Sequence, residues 1–142
     1  MGPAMFQPWQ LLRHFPHIRV IRRHLPAGTV ARTDGHSTIW LDHDLLQSEE
    51  RCALTHELVH IERGHRREQP SAVEYAVREE TARRLISFES LVDAMQWSMC
   101  LDELADELCV TPEVALDRVE TLTTKEKAYV RDREGWYGAE SA

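Results

Sequence analysis

The sequence predicts a domain of the α+β class, in which a small sheet is followed by a mainly helical part. Three short runs of β-branched residues or of alternating apolar and polar residues lie between residues 17 and 41, which is typical of strands. An Asp34-Gly35 pair separates the second run from the third and is a strong signal for a tight hairpin. We therefore expect a three-stranded antiparallel sheet with strands over residues 17–24, 29–32 and 37–41.

Helices are predicted on either side of this sheet. Residues 5–15 form an amphipathic segment that Pro16 ends. The first helix after the sheet is expected to begin at Ser48 as N-cap and to end at Gly64 as C-cap, and its first turn holds glutamates that the helix dipole favours. Further helical segments follow over residues 71–86, 89–97, 101–108, 112–121 and 124–133.

Composition argues against several classes of protein. The chain has 142 residues, 42% of them hydrophobic and 29% charged, which is the balance of a globular domain. Its net charge of −7 argues against a general nucleic-acid binder, because such a protein needs a cationic surface. No stretch approaches the roughly 20 apolar residues of a membrane span, and no leader segment is recognisable. The three cysteines form no CxxC pair and indicate buried, reduced thiols, so we expect a cytoplasmic protein.

One segment of the C-terminal helices is similar to a helix-turn-helix. Residues 101–116 read LDELADELCVTPEVAL, and Thr111 followed by Pro112 is a favourable start for the second helix. A DNA-binding protein would place this second helix in the major groove. Residues 101–120 carry seven acids against the single base Arg118, however, so DNA phosphates would repel them. We expect the segment to serve packing or to dock a basic protein, without direct contact to nucleic acid.

The segment His56-Glu57-Leu58-Val59-His60 carries the clearest chemical signal. Residues four apart share one face of a helix, so the two imidazoles can reach a single Zn²⁺ at about 2.0–2.1 Å. Glu57 lies about 100° around the helix, where it is poorly placed as a ligand but can take a proton from a water held by the metal. This arrangement matches the H-E-x-x-H pattern of zinc peptidases. The prediction is that His56 and His60 bind the metal and that Glu57 is the catalytic base.

The third ligand has several candidates. His65 is disfavoured because it follows the expected C-cap and lies about 140° around the helix from His60. Carboxylates of the following helix are Glu74, Glu79 and Glu80. Glu79 shares a face with apolar residues, and a lone acid on such a face favours a partner such as a metal, so we predict Glu79 and keep Glu80 as the next choice. Zinc is the expected ion, while Mn²⁺ and Fe²⁺ suit the same donors.

With these residues in place, the chain resembles the ImmA/IrrE family of metallopeptidases. The resemblance rests on A-L-T-H-E-L-V-H at residues 53–60, on Gly64-His65 and on E-E-T-A at residues 79–82. Matched residue by residue, it implies zinc ligands at His56, His60 and Glu79 and a general base at Glu57. The chain departs from the family pattern outside this set, at Val59, Arg83-Arg84 and Ser87.

The resemblance implies an architecture and a function. The expected fold packs the sheet on the HExxH helix, with a zincin-like metallopeptidase core over residues 1–98, a helical C-terminal subdomain over residues 99–134 and a flexible tail over residues 135–142. The implied activity is a limited cleavage of a regulatory protein, a helix-turn-helix repressor of a phage, a mobile element or a stress response. The alternative is a non-catalytic anti-repressor or toxin–antitoxin-type partner that sequesters a regulator through the same groove.

Overall fold

The computed structural model describes residues 5–134, and in this range the chain has the predicted α+β composition of a small sheet and mostly helices. The bounds of these elements agree with the sequence-based expectations to within a few residues. The predicted tail, residues 135–142, lies outside the described range. In chain order the elements are α1 (Pro8–Leu12), β1 (Arg19–Arg23), β2 (Ala31–Thr33), β3 (Thr38–Asp42), α2 (Gln47–Glu62), α3 (Ser71–Leu85), α4 (Phe88–Met95), α5 (Leu101–Leu108), α6 (Pro112–Glu120) and α7 (Thr124–Glu134).

The sheet is mixed, so the prediction of an antiparallel sheet was wrong. The strand order is β1-β3-β2, and β3 pairs antiparallel with β2 but parallel with β1. β3 occupies the centre because its Ile39 and Leu41 are completely buried, whereas β2 has only three residues and exposes Arg32. A turn at residues 26–29 carries the chain past β3, so that β2 pairs with the edge of β3 opposite to β1.

The hairpin between β2 and β3 forms at the predicted Asp34-Gly35 pair. The Oδ1 atom of Asp34 accepts hydrogen bonds from the backbone N–H groups of residues 36–38, and Gly35 has a φ of +86°. Burial acts to raise the pKa of Asp34, but these hydrogen bonds outweigh it and hold the pKa well below its usual range. A Cβ atom at Gly35 would lie 2.4 Å from the backbone oxygen of His65, so this turn packs directly against the loop that follows α2.

A small core joins α2 to the sheet. Leu54 and Leu58 of α2 are completely buried together with Ile39 and Leu41 of β3. The histidines of the HExxH segment lie two residues after these leucines, which is about 200° around the helix. The leucines therefore fix α2 on the sheet with its histidines directed to the opposite side.

The two ends of α2 differ in how closely they match the predicted caps. Leu46, not Ser48, is the N-cap residue, and its N–H donates to Oε1 of Glu49 at 2.8 Å. At the other end the C-cap residue is Arg63, not Gly64, and Gly64 follows it with a φ of +75°. The backbone N–H of His65 then donates to the carbonyl of His60, and that of Gly64 donates to Ile61, which is the Schellman pattern of helix termination.

The remaining helices surround the larger core of the protein. This core draws buried side chains from α2 to α7, and thus from both sides of the predicted boundary at residues 98 and 99. Arg51 of α2 crosses it with 6% of its surface exposed. Its guanidinium donates hydrogen bonds to four backbone carbonyls in three separate segments, those of Phe6, Leu85, Leu108 and Cys109. Arg51 thereby connects the N-terminal segment to the ends of α3 and α5.

α5 and α6 form a helix–turn–helix, and its second helix, α6, packs against other helices of the protein. The turn includes Cys109 with a φ of +55°, and the hydroxyl of Thr111 caps α6 by accepting from the N–H of Val114. α6 packs against both α5 and α3. Asp117 of α6 also pairs with Arg78 of α3 through two hydrogen bonds, of 2.6 and 3.2 Å. One side of α6 is therefore covered by α3.

Two further expectations concern the membrane and the thiols. None of the helices within residues 5–134 combines the length and the apolar character that a membrane crossing requires. Cys52 is buried as predicted, whereas Cys100 and Cys109 are exposed. The prediction was wrong for these two because they occupy the caps of α5, outside its buried face.

Candidate metal centre

His56 and His60 lie on the side of α2 that faces away from the sheet. Their Nε2 atoms are 3.2 Å apart, as imidazoles on successive turns of a helix can be. His60 is only 8% exposed and His56 is partly buried, and α3 packs against α2. The two predicted histidines are therefore adjacent and present ring nitrogens to the same point.

Glu74, in the first turn of α3, brings a carboxylate to these imidazoles. Its Oε1 atom lies 2.7 Å from Nε2 of His56 and 3.1 Å from Nε2 of His60. Glu74 precedes the buried Val77 by three residues, so both lie on the face of α3 that meets α2. The three side chains form a group whose ligand atoms all lie within 4.8 Å of one another.

Glu79, the predicted third ligand, is not a member of this group. It follows Glu74 by five residues, which places it about 140° further around α3. Its neighbour one turn earlier is Tyr75, which is 52% exposed. Further along the same face Ala82 and Ile86 are completely buried, so this face is buried only towards the end of α3. The structure brings Glu74, rather than Glu79, to the histidines.

The two other candidates have different partners. Glu80 accepts a hydrogen bond from Nε of Arg63 at 3.0 Å and also pairs with Arg84. His65 contacts the site indirectly, since its Nδ1 atom lies 3.0 Å from Nδ1 of His60. A metal-binding histidine commonly hydrogen-bonds through its second nitrogen, which fixes the orientation of the ring. His65 therefore holds the ring of His60 in the orientation that directs Nε2 of His60 at the carboxylate of Glu74.

Glu57 lines a cavity of about 480 Å³ next to this group, together with His56. Burial raises the pKa of Glu57 to about 7, and the negative charge of Glu74 acts in the same direction. A carboxyl group with such a pKa can accept and return a proton at neutral pH. The cavity is open on one side, and its other walls come from β2, α3 and α6, with contributions from Val30, Ala31, Arg78, Val114 and Asp117.

The ionisation of the group suits metal binding. Burial lowers the pKa of His56, against the opposing effect of its hydrogen bond to Glu74. Burial acts to raise the pKa of Glu74, but its hydrogen bonds and charge interactions with His56 and His60 outweigh burial and lower it. A neutral imidazole beside an ionised carboxylate is the state in which both can donate electron pairs to a cation.

The three donors fit zinc. Four ligands placed tetrahedrally about 2.0–2.1 Å from zinc lie about 3.3–3.4 Å from one another. The separations in the structure are 2.7, 3.1 and 3.2 Å, so small side-chain shifts would bring them to that geometry. Two imidazoles and one carboxylate are also the ligands of several zinc hydrolases, in which the fourth position receives water or substrate.

Known proteins give no further guide to this site. Comparisons of the chain with models of protein families, with curated proteins and with solved structures gave no match. Its chemistry therefore rests on its own residues, which are three adjacent donors, a carboxyl group of raised pKa and an open cavity.

Proposed function

We propose that this protein is a zinc-dependent endopeptidase of the ImmA/IrrE type that makes a limited cleavage in a regulatory protein. The observation that carries the proposal is the meeting of His56, His60 and Glu74 beside Glu57, at the wall of an open cavity. Glu74 takes the place that the family resemblance implied for Glu79. Zinc is the proposed ion, and Mn²⁺ or Fe²⁺ would suit the same donors.

In this proposal three residues bind the metal and a fourth transfers the proton. His56, His60 and Glu74 would hold the metal, which when bound polarises a peptide carbonyl and makes water more acidic. Glu57 accepts a proton from the attacking water at a carboxylate oxygen and passes it to the amine that leaves when the C–N bond breaks. Burial, which raises the pKa of Glu57, favours the transfer of a proton to this carboxylate, and the leaving amine then takes the proton.

The cavity also suits an extended peptide. Val30 and Ala31 line it, and β2 is an edge strand of the sheet. The backbone groups on the free side of an edge strand can pair with an extended segment of another chain. We therefore expect the substrate to bind alongside β2, with its scissile bond near Glu57.

The proposed substrate is a DNA-binding repressor, as the family resemblance implies, and the proposed setting is the cytoplasm. A net charge of −7 supports a basic protein as the partner, because opposite charges favour encounter between two proteins. The repressor would be one that controls a phage, a mobile element or a stress response.

The proposal is tested by replacing the proposed base without touching the metal ligands. Wild-type protein and Glu57→Gln are assayed for zinc content by elemental mass spectrometry and are then incubated with the proteome of the source cells. Both proteins are expected to carry zinc at the His56 site, and only the wild type should generate new N termini, since losing a general base costs about 10²–10⁴-fold in rate. Glu62→Gln, an exposed glutamate of the same helix, is the matched control and should behave as the wild type.

Two results would contradict the proposal. One is a wild-type protein with no affinity for zinc, Mn²⁺ or Fe²⁺. The other is a Glu57→Gln variant that generates the same N termini as the wild type. If Glu57→Gln retains zinc and also retains the biological effect on the repressor, the protein acts by sequestration, which is the non-catalytic alternative.

A further inference from the structure

A second group of potential metal-binding side chains lies where β1 and β3 end. In the parallel register Arg23 pairs with Asp42, so the next residues, His24 and His43, stand opposite each other. Their ring centroids are 4.9 Å apart. Asp44 follows His43 and directs its carboxylate at both rings, with oxygens 3.8 Å from Nδ1 of His24 and 3.5 Å from Nδ1 of His43. This group shares no residue with the one around His56.

The backbone that carries these side chains is held in place by hydrogen bonds. The N–H of His43 donates to the carbonyl of Arg23 at 2.9 Å. The carboxylate of Asp42 accepts from the N–H of Leu25 at 2.9 Å and from that of Asp44 at 3.4 Å. A cation that binds here would therefore need to order only side chains, which lowers the entropic cost of binding.

We propose that His24, His43 and Asp44 form a second metal site that binds a transition-metal cation such as Zn²⁺. Each histidine offers one ring nitrogen and Asp44 offers one carboxylate oxygen, and these three atoms lie within 4.8 Å of one another. Imidazole donors suit Zn²⁺, Ni²⁺ and Cu²⁺, whereas Mg²⁺ and Ca²⁺ prefer oxygen ligands. The bound ion would link the end of β1 to the segment that enters α2.

The exposure of the three side chains sets the expected strength of this site. All three are exposed, so water would complete the coordination and the cation would compete with solvent for each donor. The affinity should therefore be lower than that of the partly buried group at His56, His60 and Glu74. Simple ion pairs between protonated imidazoles and Asp44 are the competing explanation of the cluster, and an imidazolium has no free electron pair with which to bind a metal.

The test is zinc titration calorimetry on the full chain at neutral pH. A His56→Ala/His60→Ala variant removes the first group, and it is expected to bind one Zn²⁺ per chain and no Mg²⁺. Adding His24→Ala should weaken this remaining binding at least ten-fold. His36→Ala is the matched control, because His36 is also an exposed histidine close to an aspartate, at 3.7 Å from Asp34, and should leave the binding unchanged.

The proposal is overturned if the His56→Ala/His60→Ala variant binds no Zn²⁺, or if His24→Ala binds as tightly as its parent. Should the double variant fail to fold, the comparison of wild type with His24→Ala/His43→Ala decides, with an expected fall from two Zn²⁺ per chain to one. The loss of one Zn²⁺ per chain is expected whether or not the proposed function is right, because without the first site the count would fall from one to none. A failure of the first site would leave the binding that depends on His24 intact.

Discussion

Replacing Glu74 with alanine is expected to weaken zinc binding more than about 100-fold. Loss of a residue that only orients a metal ligand typically costs 10–100-fold in affinity, and a direct ligand should cost more than its supporting residues. Glu74 also carries the only negative charge among the three donors, and its Oε1 atom is 2.7 Å from Nε2 of His56 and 3.1 Å from Nε2 of His60. A 100-fold loss corresponds to about 2.7 kcal/mol of binding free energy.

Competition with a coloured chelator measures this loss for wild type, Glu74→Ala and the control Glu79→Ala. Glu79 belongs to the same helix but lies outside the group, so Glu79→Ala should bind zinc within two-fold of the wild type. Measurements on the background of His24→Ala keep the second site from contributing. Equal losses in both variants, or a loss below ten-fold in Glu74→Ala, would mean that Glu74 is not the third ligand.

Two further predictions concern residues that support the site and the fold. His65→Ala should weaken zinc binding about 10–100-fold, because Nδ1 of His60 would lose the partner that lies 3.0 Å away; unchanged affinity in the chelator assay would exclude this positioning role. Arg51→Met should lower the free energy of unfolding in urea by about 2–6 kcal/mol, since two of the carbonyls that accept from Arg51 are buried and each unsatisfied one costs about 1–3 kcal/mol. Arg22→Met is its control: Arg22 makes an exposed pair with Glu50 that should contribute less than about 1 kcal/mol, and equal losses in the two variants would contradict the prediction.

The positions of the helices and of the HExxH pair could be predicted because they depend on residues close together in the sequence. Gly64 ends α2 with a positive φ, Thr111 caps α6, and the four-residue spacing of His56 and His60 brings their imidazoles to one face of α2. Each of these features follows from local backbone geometry. None of them requires knowledge of what packs against the helix.

The carboxylate that meets the two histidines could not be predicted, because it depends on which side of α3 faces α2. The sequence allows one stripe through Tyr75 and Glu79 and another through Glu74 and Val77, both at helical spacing. In the first half of α3 the structure buries the second, with Val77 completely covered and Tyr75 half exposed, while Ala82, further along the first stripe, is completely buried as well. A possible signal was Thr81, four residues after Val77, because its hydroxyl can be buried by donating to the carbonyl of the preceding turn, as it does to that of Val77.

The strand order also depends on distant contacts. Hairpin signals gave the pairing of β2 with β3 correctly, since that pairing is set by the turn between them. The parallel pairing of β1 with β3 was missed because an antiparallel sheet was expected. The complete burial of Ile39 and Leu41 favours the central position for β3, and the turn at residues 26–29 gives no sign of this.

α6 packs against α3, so the cavity beside the metal donors is walled partly by a helix that carries none of these donors. The donors and the proposed base belong to α2 and α3, while α6 contributes Glu113, Val114 and Asp117 to the wall of the same cavity. In a protein that works as we propose, substitutions in α6 would change which segments are accepted and would leave the hydrolytic residues as they are. Substitutions in this one helix would then be enough to adapt the protein to a repressor whose sequence has changed.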